Sequence, residues 1–282
     1  MLTIRPAVRE DKEAVLAFCR GTFDWGDYIE YVYDDWLNNP DGELAVALFA
    51  ERPVGISHVL YLSEHEAWFE GLRVDPAYRH KGVATAVTNH IRAGCLARGI
   101  AVGRAFIAEN NMASQSLSAK AGFRRAMLFR AWEYKAEPVH GDVAEEVRPA
   151  APADMDQIAD FMDAYAGRMM AWHWHAQKVS QAALARALKD KALYLVKREG
   201  AIVCVASVTH WADEKELDVV SYFCEAAEDV YPLVRYAANE IVADRVGEFR
   251  VFETDEQRLL DLGAMGFETD EQSVSGLWEL SM

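Results

Sequence analysis

Cysteine is scarce in this chain: four in 282 residues, at positions 19, 95, 204 and 224, with no C-x-x-C spacing. Disulfide scaffolds and zinc ribbons need closely spaced cysteines, so both are excluded, and a reduced, cytoplasmic setting is expected. Long apolar runs are missing too. Nothing approaches the roughly 18 uninterrupted apolar residues of a spanning helix, and charge is scattered through the first 30 residues. No membrane role is expected. Positive charge is in short supply, with 29 Lys+Arg against 45 Asp+Glu and a net charge of −16. That disfavours nucleic acid, whose backbone is gripped by clustered Lys and Arg. What remains is a chain 51% apolar and 26% charged, able to bury a core and long enough for two domains.

An internal repeat divides it. Ile4-Arg5-Pro6-Ala7, followed by Asp11 and Phe18, recurs as Val147-Arg148-Pro149-Ala150, followed by Asp154 and Phe161, an offset of 147 − 4 = 143. Ala121-Gly122-Phe123 returns as Met265-Gly266-Phe267, and Ala131-Trp132-Glu133-Tyr134 as Leu277-Trp278-Glu279-Leu280. Two copies of one unit are expected, at residues 1–137 and 145–282, with a linker at 138–144. Each opens with a short strand, and Asp11 or Asp154 then stands where it could cap an amphipathic helix near Glu13–Arg20 or Asp156–Tyr165. Strand pairs follow at Leu44–Ala50 with Val54–Leu60 and at Leu193–Lys197 with Ile202–His210, joined by short polar loops. A strand at Trp68–Val74, a helix from Gly82 to Arg98, a strand at Gly103–Ala108, a helix at Ser114–Ala121 and a closing strand pair complete the first copy. The fold class is mixed α/β, with a mixed sheet rather than a doubly wound one.

One segment carries chemistry. Glu70-Gly71-Leu72-Arg73-Val74-Asp75-Pro76 runs a strand into a turn, and Arg79-His80-Lys81-Gly82-Val83-Ala84-Thr85 opens the next helix. Free N–H groups and the helix dipole converge at that start, so a pyrophosphate is the natural occupant. Gly82 permits close approach, and Arg79 and Lys81 supply charge at the rim. The spacing matches neither a P-loop nor a Rossmann fingerprint. From Asp24 to Glu70 eleven acidic residues face one Arg, whereas from Arg73 to Arg130 ten basic residues face two acidic ones. One stretch thus suits a cationic amine and the other a polyanion.

Arg79-x-x-Gly82-x-Ala84 after Val74-Asp75-Pro76 resembles the acetyl-CoA motif of the GCN5-related N-acetyltransferases (GNAT). Asn111-x-x-Ser114-x-x-Leu117-x-x-Lys120-x-Gly122-Phe123 resembles their downstream helix. The resemblance implies two tandem GNAT-like domains and an acetyl-CoA-dependent N-acetyltransferase acting on a small-molecule amine, attacked directly in a ternary complex. It implies backbone N–H groups around Leu72, Arg73 and Val74 for the thioester carbonyl. Residues Arg79, His80, Lys81, Gly82, Val83, Ala84 and Thr85 would hold the pyrophosphate, with Asn111 and Ser114 beside the pantetheine arm. A general base is wanted near the strand: Glu70 is the choice, and Glu66, on the same side by alternation, the reserve. Many members carry Tyr seven residues after the Asn as a general acid; here that position is Ser118, which leaves the acid unassigned.

Family members build the acceptor pocket in the stretch corresponding to Asp27–Leu37. Its aromatics and carboxylates suit a small cation, and as an amphipathic helix it would place Ile29, Val32, Trp36 and Leu37 in the core. Together with Glu70–Pro76 it resembles the vertebrate histidine N-acetyltransferase branch, making a free amino acid one candidate acceptor. The second copy lacks the chemistry: at the single offset, Arg79 and Gly82 fall near Phe223–Ala226, with Glu228-Asp229-Val230-Tyr231-Pro232 beyond, and Asn111 falls on Asp255. A degenerate domain is expected, completing a pseudo-two-fold pair within a monomer or a homodimer. Trp172-His173-Trp174-His175 offers a His-x-His pair for a strand-borne metal site, but without companion ligands packing is the expected role and no metal is assigned. Readings kept beside the leading one are a non-catalytic acyl-CoA sensor, a longer-acyl or aminoacyl transferase, and an enzyme acting on a protein N-terminus or lysine.

Overall fold

The computed structural model describes every residue except 23–25, 137–145, 173, 211–215, 237–246, 254–259, 261 and 265. The linker expected at 138–144, His173 and Asp255 lie outside the described residues. Packing divides the chain into two units: Met1–Ile107, Asn111–Ala126 and Leu277–Met282 form unit 1, and Ala108–Asn110 with Met127–Gly276 form unit 2. No described helix is long and apolar enough to cross a membrane.

Unit 1 contains β1 (Leu2–Pro6), α1 (Lys12–Cys19), α2 (Ile29–Asn38), β2 (Gly42–Phe49), β3 (Arg52–Tyr61), β4 (Glu66–Val74), α3 (Val83–Ala97), β5 (Val102–Ala108) and α4 (Met112–Lys120), and β6 (Arg124–Ala136) starts in it. Strands β1 to β4 form an antiparallel meander, and β5 joins β4 in parallel. The sheet is buried on both faces, so β2 reads as a continuous apolar run. Leu44, Val46 and Leu48 pack toward α1 and α2, while the small Ala45 and Ala47 make room for α3. Helix α3 answers with Val83, Val87, Ile91 and Cys95, a stripe at i, i+4, i+8 and i+12.

Unit 2 repeats the plan with β7 (Glu146–Pro149), α5 (Met155–Met162), β8 (Met169–Trp172), β9 (His175–Lys178), α6 (Gln181–Lys189), β10 (Leu193–Arg198), β11 (Ala201–His210), β12 (Glu216–Cys224), α7 (Tyr231–Tyr236) and β13 (Gly247–Glu253). Strands β7, β10, β11 and β12 are antiparallel neighbours in that order, and β13 pairs in parallel with β12. Each copy closes with one long strand instead of the expected pair: β6, and β14 (Glu268–Ser281). Residues 130–136 of β6 pair with β13 in unit 2. Residues 277–282, at the end of the second copy, belong to unit 1, where Trp278 and Leu280 pack with Ile107 and Phe123, and Met282 N–H donates to Ala101 O at 2.9 Å.

The repeated Arg-Pro-Ala…Asp motif makes a clamp, not the helix cap read from sequence. Asp11 accepts two bonds from the Arg5 guanidinium (2.7 and 2.9 Å) and one from Val8 N–H (2.9 Å). Asp154 does the same with Arg148 (2.7 and 2.8 Å) and Ala151 N–H (2.9 Å). The carboxylates thus tie the first strand to the turn before α1 or α5, and neither side chain caps the helix that follows. Trp172 ends β8 and His175 starts β9, so the Trp-His-Trp-His segment spans a hairpin turn and does not lie along one strand. His175 is buried edge-on against the Trp172 ring, as packing requires.

Candidate functional site

The candidate site lies where β4 and β5 part. Their pairing covers only Glu66–Val102, Ala67–Gly103 and Trp68–Arg104. Beyond Trp68 the two strands continue without a ladder, which leaves one edge of β4 near Leu72–Val74 to bond a ligand through its backbone. Being parallel, the strands deliver α3 and α4 from the same end of the sheet, and the two sequence motifs arrive with them.

At the end of β4 the chain turns through Asp75, whose carboxylate accepts Ala77 N–H at 2.9 Å. Arg79 reaches back to Val74 O at 3.4 Å, and Lys81 lies over the Tyr78 ring. Both cations are exposed. Gly82 holds φ +80°, with open space where a side chain would stand. Its carbonyl accepts the Ala86 N–H, the first bond of α3, so the N–H groups of Val83, Ala84 and Thr85 have no partner within the helix. His80 is left-handed as well, at φ 61°. This cradle fits a pyrophosphate. Asn111 caps α4 by accepting Ser114 N–H at 3.0 Å, which uses its carbonyl oxygen and leaves its NH₂ outward. Helix α4 buries none of its residues, Ser118 included.

The other face of β4 carries the carboxylate. Opposite Ser57 the strand holds two residues, Gly71 and Leu72, between the paired Ile56–Arg73 and His58–Glu70: a β-bulge. The bulge resets the alternation. Glu70 and Arg73 therefore face α2 together, whereas Phe69 and Val74 pack toward α3. The Arg73 side chain is forked onto buried Asp27 at 2.7 and 3.1 Å. Glu70 receives His58 Nδ1 at 2.8 Å, and His58 is stacked on Trp36 with ring centroids 4.5 Å apart. Glu66 does share Glu70's face, but its carboxylate is held 2.6 Å from the fully buried Arg104, which also bonds Glu279 at 2.6 Å. That ion pair occupies the reserve base.

On α2, Ile29 is core as expected, but Tyr33 is core too, fully buried with its hydroxyl donating to Val8 O at 3.0 Å. Tyr31 points outward, 81% exposed. Tyr28 lies beside Arg73, its ring 5.2 Å from the guanidinium, and burial pushes its hydroxyl up to about 12 against the pull of Arg73. It stays protonated at neutral pH. Sequence reasoning missed His58 and Asp27: a lone His in an apolar strand carries no motif, and only the β3–β4 register reveals its partner.

Strand register also corrects the repeat. Ile56 pairs with Arg73 and Val205 with Phe223, next to Gly55–Val74 and Cys204–Cys224, so the offset here is 224 − 74 = 150. The bulge is absent from this part of the second copy, so Glu70, paired with His58, corresponds to Ser221, paired with Ser207. Helices α3 and α7 open 231 − 83 = 148 apart, so Arg79–Gly82 fall on Ala227–Val230, not on Phe223–Ala226. Asp229 is buried and paired with Arg198 at 2.9 Å, and Pro232, in the first turn of α7, has no N–H to offer.

Known proteins share this fold. The sequence profile of the acetyltransferase (GNAT) family matches residues 8–123. No curated protein sequence matches significantly. Among solved structures, a GCN5-related N-acetyltransferase from Sphaerobacter thermophilus superposes with a TM-score of 0.67 at 15% identity, covering 99% of this chain and 95% of its own. An acetyltransferase-like protein from Pyrococcus horikoshii gives 0.65 at 15% identity, over 100% and 89%. A tandem GNAT protein from the clavulanic acid biosynthesis pathway gives 0.64 at 13% identity, over 100% and 98%. Residues 8–123 therefore match the acetyltransferase (GNAT) family, within a chain that has the tandem GNAT fold over its whole length.

Proposed function

We propose that the first copy, residues 1–137, transfers an acetyl group from acetyl-CoA to a primary amine of a small molecule, by direct attack in a ternary complex. The observation that supports it best is a carboxylate, Glu70, held in place by His58 on the strand whose open edge leads into the anion cradle at the start of α3. Acetyl-CoA supplies the activated thioester. Arg79 to Thr85 hold its pyrophosphate through the free N–H groups, with Arg79 and Lys81 adding charge. Asn111, through its NH₂, and Ser114 serve the pantetheine arm. Backbone N–H groups at Leu72–Val74 stabilise charge on the carbonyl oxygen. Glu70 removes a proton from the incoming ammonium through a water, so that the neutral amine attacks. Ser118 is too weak an acid to help the thiol leave, and that proton comes from water.

The second copy, residues 145–282, is in this reading a degenerate domain that binds no coenzyme A. Ser221 stands in place of the carboxylate, Ala227–Val230, with Glu228 and Asp229, in place of Arg79–Gly82, and Pro232 follows in the first turn of the helix. The test is acetyl-CoA titration by calorimetry, followed by thiol release over a panel of primary amines, with longer acyl donors alongside. One site per chain, turnover with an amine, and a loss of about 10²–10⁴-fold in Glu70→Gln with binding intact are expected. Tight binding without turnover on any amine would make the protein a sensor, and two sites would mean that the second copy binds coenzyme A as well.

A further inference from the structure

We infer that His58 is a positioning residue for Glu70, fixing one carboxylate oxygen so that the other is presented to the acceptor. This rests on the reading of Glu70 as the base. His58 is 1% exposed and its Nδ1 lies 2.8 Å from Glu70 Oε1. Its ring is held flat against Trp36, at an interplanar angle of 5°. Its other nitrogen, Nε2, is buried with no hydrogen-bond partner among the described residues. Behind Nε2 stands Gly42, whose missing side chain makes room for the ring: a Cβ there would come within 2.7 Å of Nε2.

The orphaned Nε2 decides the tautomer. A proton there would be a buried donor without an acceptor, and would set a bare Nδ1 lone pair against a carboxylate oxygen. A proton on Nδ1 avoids both costs. His58 therefore donates Nδ1–H to Oε1 and leaves Oε2 free. Because Nε2 has nothing to hand a proton to, the pair is no relay: the proton that Glu70 accepts stays on Oε2 until solvent or product removes it. The charged groups around the pair are otherwise compensated. Arg73 is forked onto Asp27, Glu66 is on Arg104 with Glu279, and Asp34 of α2 is on Lys12 at 2.7 Å; Glu30 and Asp35 are exposed, and Tyr28 is neutral. The donor from His58 is then the side-chain contact that fixes Glu70.

The experiment has two parts. Ring ¹⁵N and ¹H spectra of the full chain, with His58 assigned through His58→Asn, should show the ring proton on Nδ1 and none on Nε2. An Nε2–H tautomer or an imidazolium would overturn the inference whether or not a substrate has been found. In the amine assay, His58→Phe keeps a ring against Trp36 but removes the donor. Its kcat should fall about 10-fold or more with KM for acetyl-CoA unchanged, since the carboxylate is no longer fixed toward the acceptor. His58→Asn, whose amide N–H takes the place of Nδ1–H, should restore kcat. A wild-type kcat in His58→Phe, with Glu70→Gln inactive, refutes the positioning role alone. An active Glu70→Gln refutes the reading of Glu70 beneath it.

Discussion

Gly71 is under two constraints that can be separated experimentally. It sits in the bulge of β4 at φ +64°, and a Cβ there would stand 2.5 Å from two ring atoms of Trp36. Gly82 shares only the first constraint: φ is +80° and the space around it is open. A left-handed alanine costs about 1–2 kcal/mol, so Gly82→Ala should lose that and no more. Gly71→Ala adds overpacking against a ring already wedged between His58 and Tyr28, worth about 1–3 kcal/mol, for a total of about 2–5 kcal/mol. The assay is urea unfolding followed by tryptophan fluorescence, with the two variants compared on the same transition. A double variant closes the argument. Trp36→Leu shortens the clashing side chain, so Gly71→Ala should cost about 1–2 kcal/mol less in that background than in the wild type. If Gly71→Ala costs no more than Gly82→Ala, or if Trp36→Leu brings no relief, the steric account of the bulge is wrong.

Three further outcomes follow from the structure. Gly82→Glu should abolish acetyl-CoA binding in calorimetry while leaving the far-ultraviolet spectrum unchanged, whereas Asp229→Ala in the second copy should leave binding as it was. In the Arg-Asp clamps, hydrogen bonds from Arg148 and Ala151 N–H hold the Asp154 carboxyl below its usual range, and at Asp11 burial opposes the same shift but the bonds from Arg5 and Val8 outweigh it. A lowered folded value gives stability that is present in full above the unfolded value of about 3.9 and disappears as pH falls through the folded one. Asp154→Asn should therefore melt earlier than wild type at pH 7, with the gap closing below about pH 3; a gap independent of pH would refute the clamp. Deleting Leu277–Met282 removes Glu279 from buried Arg104 and Trp278 and Leu280 from the core of unit 1, so hydrogen exchange should rise there more than in unit 2.

Much of this was legible in the sequence because periodicity and punctuation are local. The stripe Val83, Val87, Ile91 and Cys95 announces α3, and Gly82 with its basic neighbours announces the cradle. The resemblance to GNAT proteins rests on those same residues. What escaped depends on register. One offset of about 144 fits both ends of the repeat but not its middle. Pro6 and Pro149 stand 143 apart, Val74 and Cys224 stand 150 apart, and the strands β5 and β13 open 145 apart. An insertion before β10 and a deletion after β12 nearly cancel, so the endpoints conceal a shift that moves the counterpart of Arg79–Gly82 from Phe223–Ala226 to Ala227–Val230. The bulge at Gly71 was equally invisible, and with it the shared face of Glu70 and Arg73. Asp11 and Asp154 mislead for another reason: Asp ahead of a helix is a good cap, but the Arg six residues earlier competes for the same oxygens with a two-pronged bond.

The membership of residues 277–282 in unit 1 has a consequence for how the protein is made. Ala126 and Leu277 are separated by 277 − 126 = 151 residues, all of which must be translated before the piece that covers Ile107 and Phe123 exists. At about 5–20 residues per second this is a delay of roughly 8–30 s. The first copy, though synthesised ahead of the second, waits through that interval with an apolar edge uncovered, exposed to chaperones and to neighbouring nascent chains. Its maturation is thereby tied to synthesis of the second copy, and a ribosome stalled within that copy would release an N-terminal half that cannot finish its own sheet.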